Sequence, residues 1–112
     1  MRFAIPLAEG KLAVHFGHCA SFALLDVAPE GKSVMIREDV EAPPHQPGLL
    51  PPWLAERGVN RIIAGGMGQH AQALFAEHGI EVIVGAPVDT PEALVTQCLS
   101  GTLKVGGNAC DH

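Results

Sequence analysis

Apolar positions along this chain change period several times, and each change marks an element. Phe3, Ile5 and Leu7 alternate with Arg2, Ala4 and Pro6, which predicts a first strand over about residues 2–8. Pro6 has no N–H to give a ladder, so a bulge or one-sided pairing is expected there. Glu9 to Ser21 reads as loop. Phe22–Val27 and Ser33–Val40 read as two strands joined by the turn residues Pro29-Glu30-Gly31-Lys32, hence an antiparallel hairpin. Glu41–Gly48 is a proline-rich loop.

The second half switches to helical spacing. Leu50–Arg57 predicts a short helix, because Pro51 and Pro52 fit only a first turn and Gly58 supplies a stop. Val59–Ala64 reads as a buried strand. A helix over about Gln69–His78 follows, with Ala71, Leu74, Phe75 and His78 on one face and Gly79 closing it. Ile80–Val84 is a fifth strand. Thr90 as N-cap and Pro91 at the first helical position open a last helix that ends at Gly101, with an extended piece over Thr102–Val105.

The order is β-β-β-α-β-α-β-α, an α/β domain over residues 1–105 with a flexible tail over 106–112. Right-handed crossovers place strand one beside strand four, the hairpin on one side and strand five on the other. That gives a five-stranded mixed sheet with helices packed on it. If strand two is the only antiparallel strand, the loops after strands one, three, four and five share one sheet end with the start of strand two. Open α/β sheets bind ligands at such ends, where neighbouring connections part.

Composition narrows the class. A chain of 112 residues with 47% hydrophobic residues and mean hydropathy +0.23 is one globular domain with an aliphatic core, lacking tyrosine and holding one tryptophan. The formal charge of −5 with seven scattered Lys and Arg argues against nucleic acid as a partner. No apolar run approaches the ~20 residues of a membrane span. Three cysteines and no export signal point to reduced thiols in the cytoplasm.

The chemistry gathers at the predicted sheet end. His15-Phe16-Gly17-His18-Cys19 puts two imidazoles and a thiol within five residues, donors suited to Cu(I), zinc or iron–sulfur chemistry. The spacing is not that of a zinc finger, so a partly open site with His15, His18 and Cys19 as metal ligands is favoured over a closed structural one. Gly65-Gly66-Met67-Gly68-Gln69-His70 lies between a strand and a helix. Its glycines let amide N–H groups face outward at a helix N-terminus, an anion-binding nest. His45 and His70 fall at the same end, and Met67 offers a polarisable wall.

Other candidates weigh less. His45 is as readily a loop histidine as a ligand. Cys98 falls on an apolar helix face and reads as core filler, and His78 as a helix-end histidine near the dipole. Cys110 and His112 form a Cys-x-His tail, a solvated terminus first and a metal-capturing arm second. Gly66-x-Gly68-x-x-Ala71 with Asp89 further on resembles a dinucleotide fingerprint, but the second half of such a fold is missing. No nucleophile–base set or group of inward carboxylates supports catalysis.

With these residues placed, the chain resembles the dinitrogenase iron–molybdenum cofactor family. The likeness covers about residues 2–105. It rests on His15-Phe16-Gly17 ahead of Phe22–Val27, on Trp53-Leu54 and the run Gly58–Gly68, and on Leu74 and His78–Val82. The resemblance implies a ribonuclease-H-like fold without nuclease activity. It also implies non-enzymatic binding or carriage of an anionic metal–sulfur cluster: the iron–molybdenum cofactor, its precursor, or a molybdenum–copper sulfide cluster such as the orange proteins of sulfate reducers hold without covalent attachment. His15, Gly17, Gly65, Gly66 and Gly68 match family positions. His18, Cys19, His45 and His70 are added from chemistry and topology.

Cluster-donor or acceptor proteins are the expected partners, with no nucleic acid and no membrane, and the chain is expected as a monomer or weak homodimer. Two other readings stand beside this one. The first is a small-molecule or nucleotide-binding regulatory module using Gly66–Ala71; the second is a metal sensor or scavenger using Cys110 and His112.

Overall fold

The computed structural model describes residues 1–13, 21–28, 34–43 and 48–103. Its strands are β1 (Arg2–Ala8), β2 (Lys11–Leu12), β3 (Ser21–Val27), β4 (Val34–Glu41), β5 (Arg61–Ile63) and β6 (Glu81–Ile83). The helices are α1 (Leu50–Glu56), α2 (Gln69–Glu77) and α3 (Pro91–Ser100). The sheet runs β4-β3-β1-β5-β6, with β2 paired to β1 off this path. β3 is antiparallel to both its neighbours, and β1, β5 and β6 are mutually parallel. The sequence-derived strand order holds; the expected antiparallel strand is β3, but it is not alone, because β2 is antiparallel to β1 as well.

The sheet has six strands rather than the expected five, because Lys11–Leu12, within the stretch that reads as loop, pairs with the end of β1. Glu9 and Gly10 form a two-residue turn with φ of 55° and 82°, so Leu12 lies opposite Leu7 and Lys11 opposite Ala8. Two positive φ values match the right-handed twist of a tight hairpin, and Gly10 supplies one without strain.

Pro6 shows how one-sided pairing works. Arg2 turns its backbone away from β3, since its carbonyl accepts from Asn60 N–H at 2.9 Å. Backbone direction alternates along a strand, so Pro6 faces the same way. Its missing N–H therefore falls beyond the β5 ladder, while its carbonyl accepts from Ala13 N–H at 2.8 Å.

Because central strands are covered on both sides, β1 is buried over residues 3–7. Phe3, Ile5, Leu7, Ala23 and Leu25 pack with Leu94 and Val95 of α3. Ala4, Phe22, Leu24 and Ile62 pack on the other face with Leu54 of α1 and Phe75 of α2. The result is three layers, α3 on one face of the sheet and α1 with α2 on the other.

The helix ends follow the residues that mark them. Pro51 and Pro52 occupy the first turn of α1, and Gly58 after it has φ 78°. Thr90 caps α3, accepting from Ala93 N–H at 3.4 Å, and Gly101 ends it in the left-handed region. The extended piece expected after it does not form at its start: Thr102 and Leu103 both donate to the Gln97 carbonyl, folding the chain back over the helix end. Val105 and the tail lie outside the described residues. On α2, Phe75 is buried and Ala71 and Leu74 half-buried, while His78 caps the helix and is exposed, so the apolar face stops one turn early.

Candidate functional site

Three chain segments meet at the sheet end where β1, β5 and β6 finish. The first is the β2 arm. Leu12 donates to the Asp89 carbonyl at 3.1 Å and Ala13 to the Pro6 carbonyl, leaving Ala13 2% exposed. The second is the glycine loop Gly65–Gly68, which leads from β5 into α2. The third is the loop 85–89, which follows β6.

The predicted donors His15, Phe16, Gly17, His18 and Cys19 lie outside the described residues, as do His45 and the tail residues Cys110 and His112. The residues that bound their segments are described. Ala13 precedes the first, and Ser21, paired with both Leu7 and Glu41, follows it. Glu41, the last residue of β4, leads to the His45 segment. These flanking residues lie at the sheet end that carries the glycine loop, as the strand order requires. Among the described residues no three His, Cys, Asp or Glu side chains gather as a metal site.

The glycine loop differs in detail from its expectation. None of Gly65, Gly66 and Gly68 has a positive φ, so a left-handed turn is not what these glycines supply. Gly68 is the N-cap of α2, with φ −64° and ψ 153°, and has no side chain of its own with which to cap the helix. A Cβ at Gly68 would meet open space. Any residue fits this conformation, and Ser, Thr, Asp or Asn would cap better. Glycine there adds no side chain at the positive end of a nine-residue helix.

Met67 is 1% exposed and packs in the core beside Phe22, Leu54 and Phe75, so its thioether belongs to the fold rather than to a surface wall. Gln72 Nε2 donates to the Met67 carbonyl at 2.9 Å and holds the loop against the helix. His70 is exposed in the first turn of α2, two residues after its N-cap. Cys98 is half-buried against the α3-side core, in keeping with core filler.

Asp89, the acidic residue of the weak dinucleotide match, accepts from Thr90 N–H at 2.7 Å through its own carboxylate. It opens α3 instead of facing the glycine loop. Sequence reasoning missed the β2 arm and the role of Gly85 described below. The turn pair Glu9-Gly10, with Leu7 and Leu12 symmetrically about it, signalled the first; the lone glycine after an apolar strand was the sign of the second.

Known proteins share this arrangement. The chain is 31% identical over 87 residues to protein MJ0580 of Methanocaldococcus jannaschii, covering 73% of this chain and 72% of that one. The crystal structure of PH0822 superimposes with a TM-score of 0.85 at 29% identity, over 94% of both chains. The apo form of the orange protein from Desulfovibrio gigas superimposes with a TM-score of 0.71 at 23% identity, over 96% of this chain and 93% of that one, a likeness of fold. The profile described as Dinitrogenase iron-molybdenum cofactor matches residues 1–101, and the chain belongs to that family.

Proposed function

We propose that this protein is a non-enzymatic binder or carrier of an anionic metal–sulfur cluster, built on a ribonuclease-H-like arrangement and working in the cytoplasm. The cluster is cargo: the iron–molybdenum cofactor, a precursor of it, or a molybdenum–copper sulfide. The observation that carries the reading is the glycine N-cap of α2, Gly68, whose Cβ position is open, at the same sheet end as Ala13, Ser21 and Glu41, the described residues nearest in sequence to His15, His18, Cys19 and His45. Family membership supplies the class of guest.

The chemistry is consistent. A metal–sulfide cluster is a large soft anion, and the positive end of a helix offsets such charge without adding a bulky side chain. Imidazoles donate to sulfide, and one thiolate of Cys19 suits a soft metal. His70 stands in the first turn of the same helix.

Anaerobic reconstitution with tetrathiomolybdate and Cu(I) tests this. A visible charge-transfer band at one cluster per chain is expected, and the His15→Ala, His18→Ala, Cys19→Ala triple variant should bind weaker by about tenfold or more. A triple variant that binds as tightly as the parent overturns the assignment.

A further inference from the structure

The ladder between β5 and β6 breaks its own rule at the site. In a regular parallel ladder, Ala64 N–H bonding to the Ile83 carbonyl is followed by residue 85 bonding to the Ala64 carbonyl. The first bond is present at 2.8 Å. The Ala64 carbonyl, however, accepts from Ala86 at 3.2 Å, and Gly85 N–H reaches past it to the Gly65 carbonyl at 2.8 Å. Gly85 is thus one extra residue, with φ 81°, the left-handed conformation of a glycine bulge. Four residues on, the same loop accepts from the other arm, Leu12 N–H to the Asp89 carbonyl. Ala86, between the two, is buried with Leu94 and Val95 of α3.

We propose that Gly85 is a positioning residue: its bulge makes loop 85–89 a brace that fixes the glycine loop relative to the β2 arm. The proposal rests on the cluster reading for its purpose, though not for its geometry. A side chain at 85 strains the positive φ, loosens the bonds to Ala64 and Gly65, and through the short loop releases the Leu12 bond. The two halves then lose their register.

The control is Gly79, with φ 74°, where a Cβ would meet open space. It ends α2 at its far end from the site, so Gly79→Ala costs similar backbone strain elsewhere. Amide hydrogen exchange and probe binding are compared in the parent, Gly85→Ala, Gly79→Ala and Gly85→Asn, the last because Asn tolerates the left-handed region. Gly85→Ala should speed exchange at both Leu12 and Ala86 by about tenfold, weaken uptake of tetrathiomolybdate with Cu(I), and shift its band. Gly79→Ala should leave all three unchanged, and Gly85→Asn should recover most of the loss. Parent-like protection of Leu12 in Gly85→Ala overturns the brace, as does a binding loss matched by Gly79→Ala. A parent that takes up no probe overturns the cluster reading alone, and the exchange comparison then decides the brace.

Discussion

Arg2 grips Asp26 through two parallel hydrogen bonds, Nε at 2.6 Å and Nη2 at 3.0 Å, across the β1–β3 pair at the end of the sheet away from the site. The remaining arm of the guanidinium donates to the Arg57 carbonyl at 2.7 Å, and the Arg2 N–H bonds the side chain of Asn60. One residue therefore ties β1 to β3 and to the turn that leads into β5. The hydrogen bonds from Arg2 hold the Asp26 carboxyl below the usual carboxylate range.

The sign of the pH effect follows. A carboxyl lowered in the fold stabilises it above the unfolded value of about 4, and that contribution fades as pH falls through the folded value. Both side chains are about one-third exposed, at 35% and 31%, so solvent screening limits the pair to about 0.5–1 kcal/mol. Asp26→Asn should lower stability by that amount near neutral pH and by less below pH ~4. Urea denaturation of parent and variant at several pH values measures it; an equal loss at all pH values would show the charge to be irrelevant.

Trp53 offers a built-in reporter, because it is the one tryptophan of the chain. The Arg57 guanidinium carbon lies 3.8 Å from its ring centroid, and Arg57 Nη1 also donates to the Trp53 carbonyl at 3.0 Å. The Phe22 ring lies tilted at 45° to that of Trp53, with ring centroids 5.8 Å apart. Arg57→Ala removes the stacked cation and should cost about 1 kcal/mol, with a changed Trp53 emission spectrum in the folded protein. Arg57→Lys should recover part of the stability. A parent-like emission spectrum in Arg57→Ala would show that the stacking is not populated in solution.

Strand order was readable from the sequence because Phe3-x-Ile5-x-Leu7 and the run Arg61–Ala64 carry enough apolar residues to settle period and burial at once. Pro51, Gly58, Thr90 and Gly101 fixed helix ends through backbone sterics that act locally. β2 was hidden, since two residues cannot show a period and Glu9 is an uncommon occupant of a positive-φ turn position. The burial of Met67 is not legible, because a thioether in a glycine loop has no sequence mark that separates core from surface. The Gly85 bulge is a matter of register between two strands, which no single segment encodes. The histidine and cysteine candidates were chosen by donor chemistry, and topology could bring only their flanking residues together.

The N-cap of α2 sets stability against binding at a single position. Gly68 is exposed, has an extended conformation open to any residue, and brings no capping side chain of its own. If the helix end existed only for the fold, an oxygen-bearing side chain would serve it better. Asp at this position can accept from the N–H groups of the first turn and its charge suits the helix dipole, so Gly68→Asp should stabilise the apo protein by up to about 0.5 kcal/mol. The same carboxylate occupies the donors that an anionic guest needs and repels its charge. Uptake of tetrathiomolybdate with Cu(I) should therefore weaken by about tenfold or more, while Gly68→Ala, which adds only a methyl group in open space, should retain most of it. Thermal denaturation of the apo forms and spectrophotometric titration of the probe measure the two sides. If Gly68→Asp binds the probe as well as the parent does, the N-terminus of α2 does not receive the guest, and the binding surface must be sought on the β2 arm instead.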